Sequence, residues 1–122
     1  MRLLAGFLIL FLTSCNYYEG KGLQSGSPGG VVAAATFATM TQTFFKPYCT
    51  RCHQGDDPAG GIDLTSYQAM IDDGISLVPG EPEKSEVYTL SRDGDMPKRG
   101  AKPSKELIEA LRVWIADGAK EK

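Results

Sequence analysis

Histidine is all but missing from this chain: His53 is the single one in 122 residues. Cysteine is scarce as well. Only Cys15, Cys49 and Cys52 are present, so a structural zinc site, which takes four ligands, would have to be completed from carboxylates. The longest apolar run, Leu3 to Leu12, has ten residues, about half of what a membrane-spanning helix needs. Neither sign of charge is in excess: 13 basic and 15 acidic residues are interspersed and leave a net charge of −2, which excludes a nucleic-acid binder. There is no internal repeat, phosphate-binding loop, active-site carboxylate pair or nucleophile constellation, so no small-molecule substrate is expected. The length fits one small domain.

Against these absences, Cys49-Thr50-Arg51-Cys52-His53 carries the chemistry. Two thiols three positions apart, followed at once by an imidazole, is the spacing that fixes a c-type haem. Each sulfur can add to one haem vinyl group. The short turn between them then presents the His53 ring to the iron from one face. A redox CxxC would need a βαβ context, which the sequence lacks. The expectation is one covalent haem c on Cys49 and Cys52, with His53 as an axial iron ligand.

The N-terminus points to export. Arg2 supplies a positive n-region ahead of the short apolar segment, the pattern of a secretory signal. Leu12-Thr13-Ser14-Cys15 resembles the lipobox of bacterial lipoproteins. That resemblance implies cleavage after Ser14 and lipid attachment at Cys15, giving a stable anchor through several acyl chains. The alternative is a plain signal peptide that ends near a cysteine. In Gram-negative lipoproteins Asp after the lipidated cysteine is the usual inner-membrane retention signal; Asn16 stands here and tilts the expectation towards the outer membrane. All three cysteines are thereby assigned, and lipid and haem attachment agree on the periplasmic side. Residues 1–14 read as signal peptide and 15–30 as lipidated cysteine plus tether. Asn16 to Gly30 holds five glycines, giving a flexible reach of about 20 Å.

Residues 31–122 read as an all-α domain of about four short helices with long loops. Ala33, Phe37, Met40, Phe44 and Tyr48 share one helical face, and Pro47 should end or distort that helix just before Cys49. Gln54 to Gly61 is rich in turn formers. Thr65 with Gln68 fits a capping box for a short helix burying Tyr67, Met70 and Ile71, with Gly74 as its stop. Pro82 suits the first position of a helix running through Val87, Tyr88 and Leu90. After a loop from Arg92 to Pro103, Ser104 caps the strongest helix, with Glu106 in its first turn. Leu107, Leu111 and Trp114 share its face, Ile108 and Ile115 lie beside it, and Gly118 closes it. So small a chain seldom buries enough apolar surface to be stable alone. Loops packed on a haem would supply the missing core, so the haem-free chain should fold poorly.

The order helix, CxxCH, loops, Met-Pro, C-terminal helix resembles the cytochrome c fold. Closer still is the resemblance to the small monohaem cytochrome c domains found in planctomycetes and similar bacteria. It is carried by Tyr48 to His53, Gly60-Gly61-Ile62-Asp63-Leu64-Thr65-Ser66-Tyr67, Val78-Pro79-Gly80-Glu81-Pro82-Glu83-Lys84-Ser85, Asp95-Met96-Pro97 and Leu111 to Ala119, spanning about residues 40 to 119. In that family the methionine before proline is the second axial ligand, which implies Met96 here. The residues agree. With one histidine, bis-His ligation within one molecule is impossible, and thioether is the remaining good ligand. Met40 and Met70 fall in apolar helical stripes, whereas Met96 sits in an irregular loop. His53 and Met96 are only 43 positions apart, so one haem edge should be more exposed than in larger cytochromes c. The His53 nitrogen turned away from iron should donate to a backbone carbonyl, with the loop Pro58 to Ile62 as a source.

The resulting expectation is a membrane-anchored electron carrier exchanging single electrons with redox protein partners. Lys98, Arg99, Lys102 and Lys105 either dock an acidic partner or form a solvated basic loop. Two rivals stay open: a haem enzyme or peroxide or gas sensor whose distal site is free of Met96, and a structural lipoprotein with a Cys49–Cys52 disulfide and no haem.

Overall fold

The computed structural model describes residues 35–122. The signal segment 1–14, Cys15, the tether 15–30 and Ala33 of the first stripe lie outside the described residues. Among the described residues there is no strand, and the fold is all-α as expected.

The first helical rod is built in three consecutive pieces: α1 (Phe37–Met40), a π turn (Thr41–Phe45) and α2 (Lys46–Tyr48). Thr36 caps it, its hydroxyl accepting from the Thr39 amide at 3.4 Å. Pro47 has no N–H, and its ring crowds the carbonyl four residues back. The wider turn lies just before it, closed by the Lys46 amide on the Thr41 carbonyl. The consequence is packing: one extra residue per turn brings Phe45 round beside Phe44, and both are fully buried. The rod stops at Tyr48, so Pro47 distorts and ends it where expected.

The α3 helix (Tyr67–Asp72) corrects the expected cap. Ser66, not Thr65, is its N-cap, accepting from the Ala69 amide at 3.2 Å. Asp63 removes Thr65 from the role by accepting from its amide at 2.8 Å and its hydroxyl at 2.6 Å. Gln68 likewise turns forward to Asp72 at 2.6 Å rather than back to the cap. Pro82 opens a 3₁₀ turn (Pro82–Lys84) rather than the next α-helix, and α4 (Glu86–Arg92) starts after Ser85. That serine is fully buried. Its hydroxyl accepts from the Val78 amide at 2.9 Å and donates to the Glu81 carbonyl at 3.0 Å, so the turn-rich stretch 78–85 is tied to itself.

The last helix, α5 (Lys105–Ala116), is capped by Ser104, whose hydroxyl accepts from the Leu107 amide at 3.3 Å. Its buried stripe is Leu111, Trp114 and Ile115. Trp114 meets Phe45 edge-on at 6.1 Å between ring centroids and Phe37 at 6.4 Å. Gly118 and Ala119 turn the chain through the left-handed region. The Lys120 carbonyl then accepts from both the Phe37 amide, 2.9 Å, and the Trp114 indole, 3.0 Å. The two ends of the domain are thus held by one carbonyl and a ring cluster. Burying each large apolar side chain in this cluster contributes about 1.5–3 kcal/mol.

Candidate functional site

The Cys49–His53 segment follows the end of the rod as a turn. The Cys49 amide donates to the Phe45 carbonyl at 2.8 Å, and the Cys49 carbonyl accepts from the amides of Cys52 and His53, both at 3.1 Å. This turn sets the two sulfurs and the ring on one short arc. The following loop folds back onto it: the Ala59 amide donates to the Cys52 carbonyl at 2.9 Å and the Leu64 amide to the His53 carbonyl at 3.0 Å. The reversal passes through Gly60 and Gly61, both at positive φ, where a Cβ would be strained.

That fold-back places the Ile62 carbonyl 3.2 Å from His53 Nδ1. With its proton on Nδ1 the ring donates to this carbonyl, and Nε2 keeps its lone pair for a metal. A backbone acceptor of this kind fixes both tautomer and ring plane. The acceptor lies in the loop where sequence reasoning sought it.

Cys49, Cys52, His53 and Met96 all line one cavity of about 770 Å³. Its walls are largely apolar, with Ile62, Leu64, Val87 and Leu90 among them, and its size falls in the usual range for cofactor sites, about 300–1,000 Å³. Met96 reaches it from the loop after α4, where its amide donates to the Leu90 carbonyl at 3.0 Å. Cys49 and Cys52 are not bonded to each other. Cys49 is half-buried and Cys52 exposed. Burial pushes the Cys49 thiol up to about 12, because its thiolate would lose water.

The basic residues divide. Lys98 and Arg99 line the cavity, as does Arg51; Lys102 and Lys105 do not. Lys102 instead donates from Nζ to the Gly94 carbonyl at 2.9 Å and to the Pro97 carbonyl. Lys105 begins α5. Cys15 lies outside the described residues. Sequence reasoning also missed wall residues with no periodic signal, chiefly Glu86 and Ser91.

The cavity suits a haem on its chemistry: two thiols for vinyl groups, one nitrogen and one thioether for iron, and apolar walls for a macrocycle. Three cations, Arg51, Lys98 and Arg99, against one carboxylate, Glu86, suit a group bearing two propionates.

Residues 49–100 match the family model described as Planctomycete cytochrome C. Neither curated proteins nor solved structures give a match. The matched segment starts at Cys49 and ends just past Met96, so it holds every residue lining the cavity except Tyr48. The chain carries a small cytochrome c-type domain, and such a domain holds haem c covalently.

Proposed function

Taking a covalent haem c on this domain as the premise, we propose that the protein is a membrane-anchored carrier of single electrons between redox protein partners, with His53 and Met96 as the two axial ligands. The observation that carries this reading is the meeting of Cys49, Cys52, His53 and Met96 in the lining of one cavity, although Met96 is far from the motif in sequence. When bound, haem c supplies a one-electron iron couple. The chain's own contribution is to close both faces of the metal and keep water away.

The His53 ring, oriented through the Ile62 carbonyl, would supply the nitrogen ligand. Met96 would supply soft sulfur, which favours ferrous iron and a higher potential than a second imidazole would. With both residues holding the iron no place would be left for a substrate, and the protein's work would be outer-sphere transfer. Ile62, Leu64, Val87 and Leu90 on the wall disfavour the more highly charged oxidised state by excluding water. Lys98 and Arg99 at the cavity favour an acidic partner, whose approach would slow as salt rises. Export and anchoring rest on Leu12-Thr13-Ser14-Cys15: lipid on Cys15 and a tether of residues 16–30 would hold the domain at the periplasmic face of a membrane, the outer one favoured by Asn16.

The test is spectroscopic. Protein matured in a host competent for c-haem assembly is expected to give a pyridine haemochrome and a red-region iron–thioether band. Met96→Ala is expected to abolish the band and lower the potential. Carbon monoxide binding by the untreated ferrous wild type would instead favour the enzyme or sensor.

A further inference from the structure

We propose that Lys102 is a positioning residue for the iron's thioether ligand: its ammonium, bonded to carbonyls on both sides of Met96, holds the loop that presents the sulfur. The inference rests on the His53 and Met96 ligation proposed above. Between the end of α4 at Arg92 and the start of α5 at Lys105, the chain forms no helix or strand. A ligand carried on such a segment has no periodic hydrogen-bond ladder to fix it. Its position depends on individual bonds: the Asp93 and Gly94 amides donate to the Thr89 and Ser91 carbonyls where the loop leaves α4, and three further bonds lie around Met96.

The Met96 amide donates to the Leu90 carbonyl at 3.0 Å, which fastens the residue to the last turns of α4. Lys102 Nζ donates to the Gly94 carbonyl at 2.9 Å and also to the Pro97 carbonyl. These two carbonyls lie two residues before and one residue after Met96. One ammonium therefore clamps the loop across the ligand from outside, using two of its three N–H donors. Among the described residues Lys102 forms no salt bridge, so its charge is directed at backbone oxygens alone. Lys98 and Arg99 line the cavity and Lys102 does not. That separation assigns neighbouring cations different work: two face the cavity and one braces its rim from behind.

A charged donor makes shorter and stronger hydrogen bonds to carbonyls than a neutral one does. Its loss frees the loop to swing the sulfur off the iron, while the helices and aromatic cluster are untouched. The readout is the rate at which added imidazole or cyanide captures the ferric iron, since capture requires the thioether to leave first. In Lys102→Met, which keeps the apolar stem, capture is expected to speed up by about tenfold, the scale of one charge-assisted hydrogen bond. Lys102→Arg, which retains several donors, is expected to restore most of the wild-type rate. The global melt by far-UV circular dichroism should stay close to wild type in both.

Three results overturn the proposal. The first is an unchanged capture rate in Lys102→Met while the wild type shows the iron–thioether band and Met96→Ala lacks it; that result leaves the ligation reading intact and removes the brace. The second is a fall in the melt that matches the gain in capture rate, which would make Lys102 a general stabiliser. The third is a wild type with no iron–thioether band, which removes the ligation reading and the brace together.

Discussion

The packed core between the N-terminal rod and α5, and the wall around the cavity, share Leu64 and Val87, with Cys49 and Ile62 packed against the one and lining the other, yet are held by different means. The cluster is side chain against side chain. Phe37, Phe45 and Trp114 contact one another, Tyr67 meets Phe37 edge-on at 5.6 Å, and Phe44 meets Phe45 at 5.8 Å. The cavity wall is backbone tied to backbone or to a polar side chain: Leu64 to His53, His53 to Ile62, Met96 to Leu90, Lys102 across Met96. A packed cluster is stable by excluding water from itself. A wall of bonded loops around about 770 Å³ would draw the packing of its inner face from the cofactor it holds. The difference implies that half the domain can fold on its own contacts and half needs its cofactor.

Removing the cofactor should separate the two halves most sharply. At about 24 cal/mol per Å³ of retained void, a closed cavity of about 770 Å³ would cost more than the whole net stability of a typical domain, about 5–15 kcal/mol. The loops must therefore collapse or admit water. Cys49→Ala/Cys52→Ala is expected to lose cooperative melting by circular dichroism. Amide exchange should become fast in residues 54–64 and 93–103, with residual protection confined to the rod and α5. Native-like cooperative melting of this variant would break the comparison, because the wall would then stand unaided.

The opposite cut is Trp114→Ala. The indole is 2 % exposed and its N–H donates to the Lys120 carbonyl, so truncation leaves a void and removes one of that carbonyl's two donors, the Phe37 amide remaining. The expected loss is about 3–5 kcal/mol, roughly 15–30 °C in melting temperature for a domain of this size. The iron–thioether band at low temperature should be unchanged, since no bond to the Met96 loop is touched. A variant that keeps its melting temperature but loses the band would invert the assignment of roles.

This division also explains what the amino-acid sequence made legible. Helical periodicity reports side-chain packing, so Phe37, Met40, Phe44, Leu111 and Trp114 were found from spacing, and the CxxCH motif from chemistry. Phe45 was not found, because the π turn ahead of Pro47 shifts the register by a residue that a 3.6-residue period cannot anticipate. Ser66 was passed over as a cap because the decisive competitor, Asp63, binds Thr65 from outside the helix. Lys102 read as a free surface cation. Its carbonyl partners, eight and five residues back, lie in a segment with no period to place them. Bonded loops leave little pattern in a sequence; packed faces leave a great deal.

The smallest expected effect concerns how the wall is oriented rather than whether it forms. Asp63 sits between Ile62, which accepts from His53, and Leu64, which donates to the His53 carbonyl. Its carboxylate accepts from the Thr65 hydroxyl and then the Thr65 amide, and these bonds hold its pKa below the ordinary 3.8. A lowered folded value stabilises the fold at pH above the unfolded value, and that contribution disappears as pH falls through the lowered one. Asp63→Asn keeps an acceptor oxygen but does not titrate. It is therefore expected to melt a degree or two below wild type at about pH 6, with the gap closing in strong acid as pH falls through the lowered value and the wild-type carboxylate is protonated. Because the site is exposed, salt and solvent keep the effect small. The same variant should broaden the His53 ring resonances at about pH 6, where the Ile62 carbonyl is less firmly placed. A melting gap that is equal at both pH values would mean that the aspartate acts only through its shape, and that the His53 loop draws nothing from its charge.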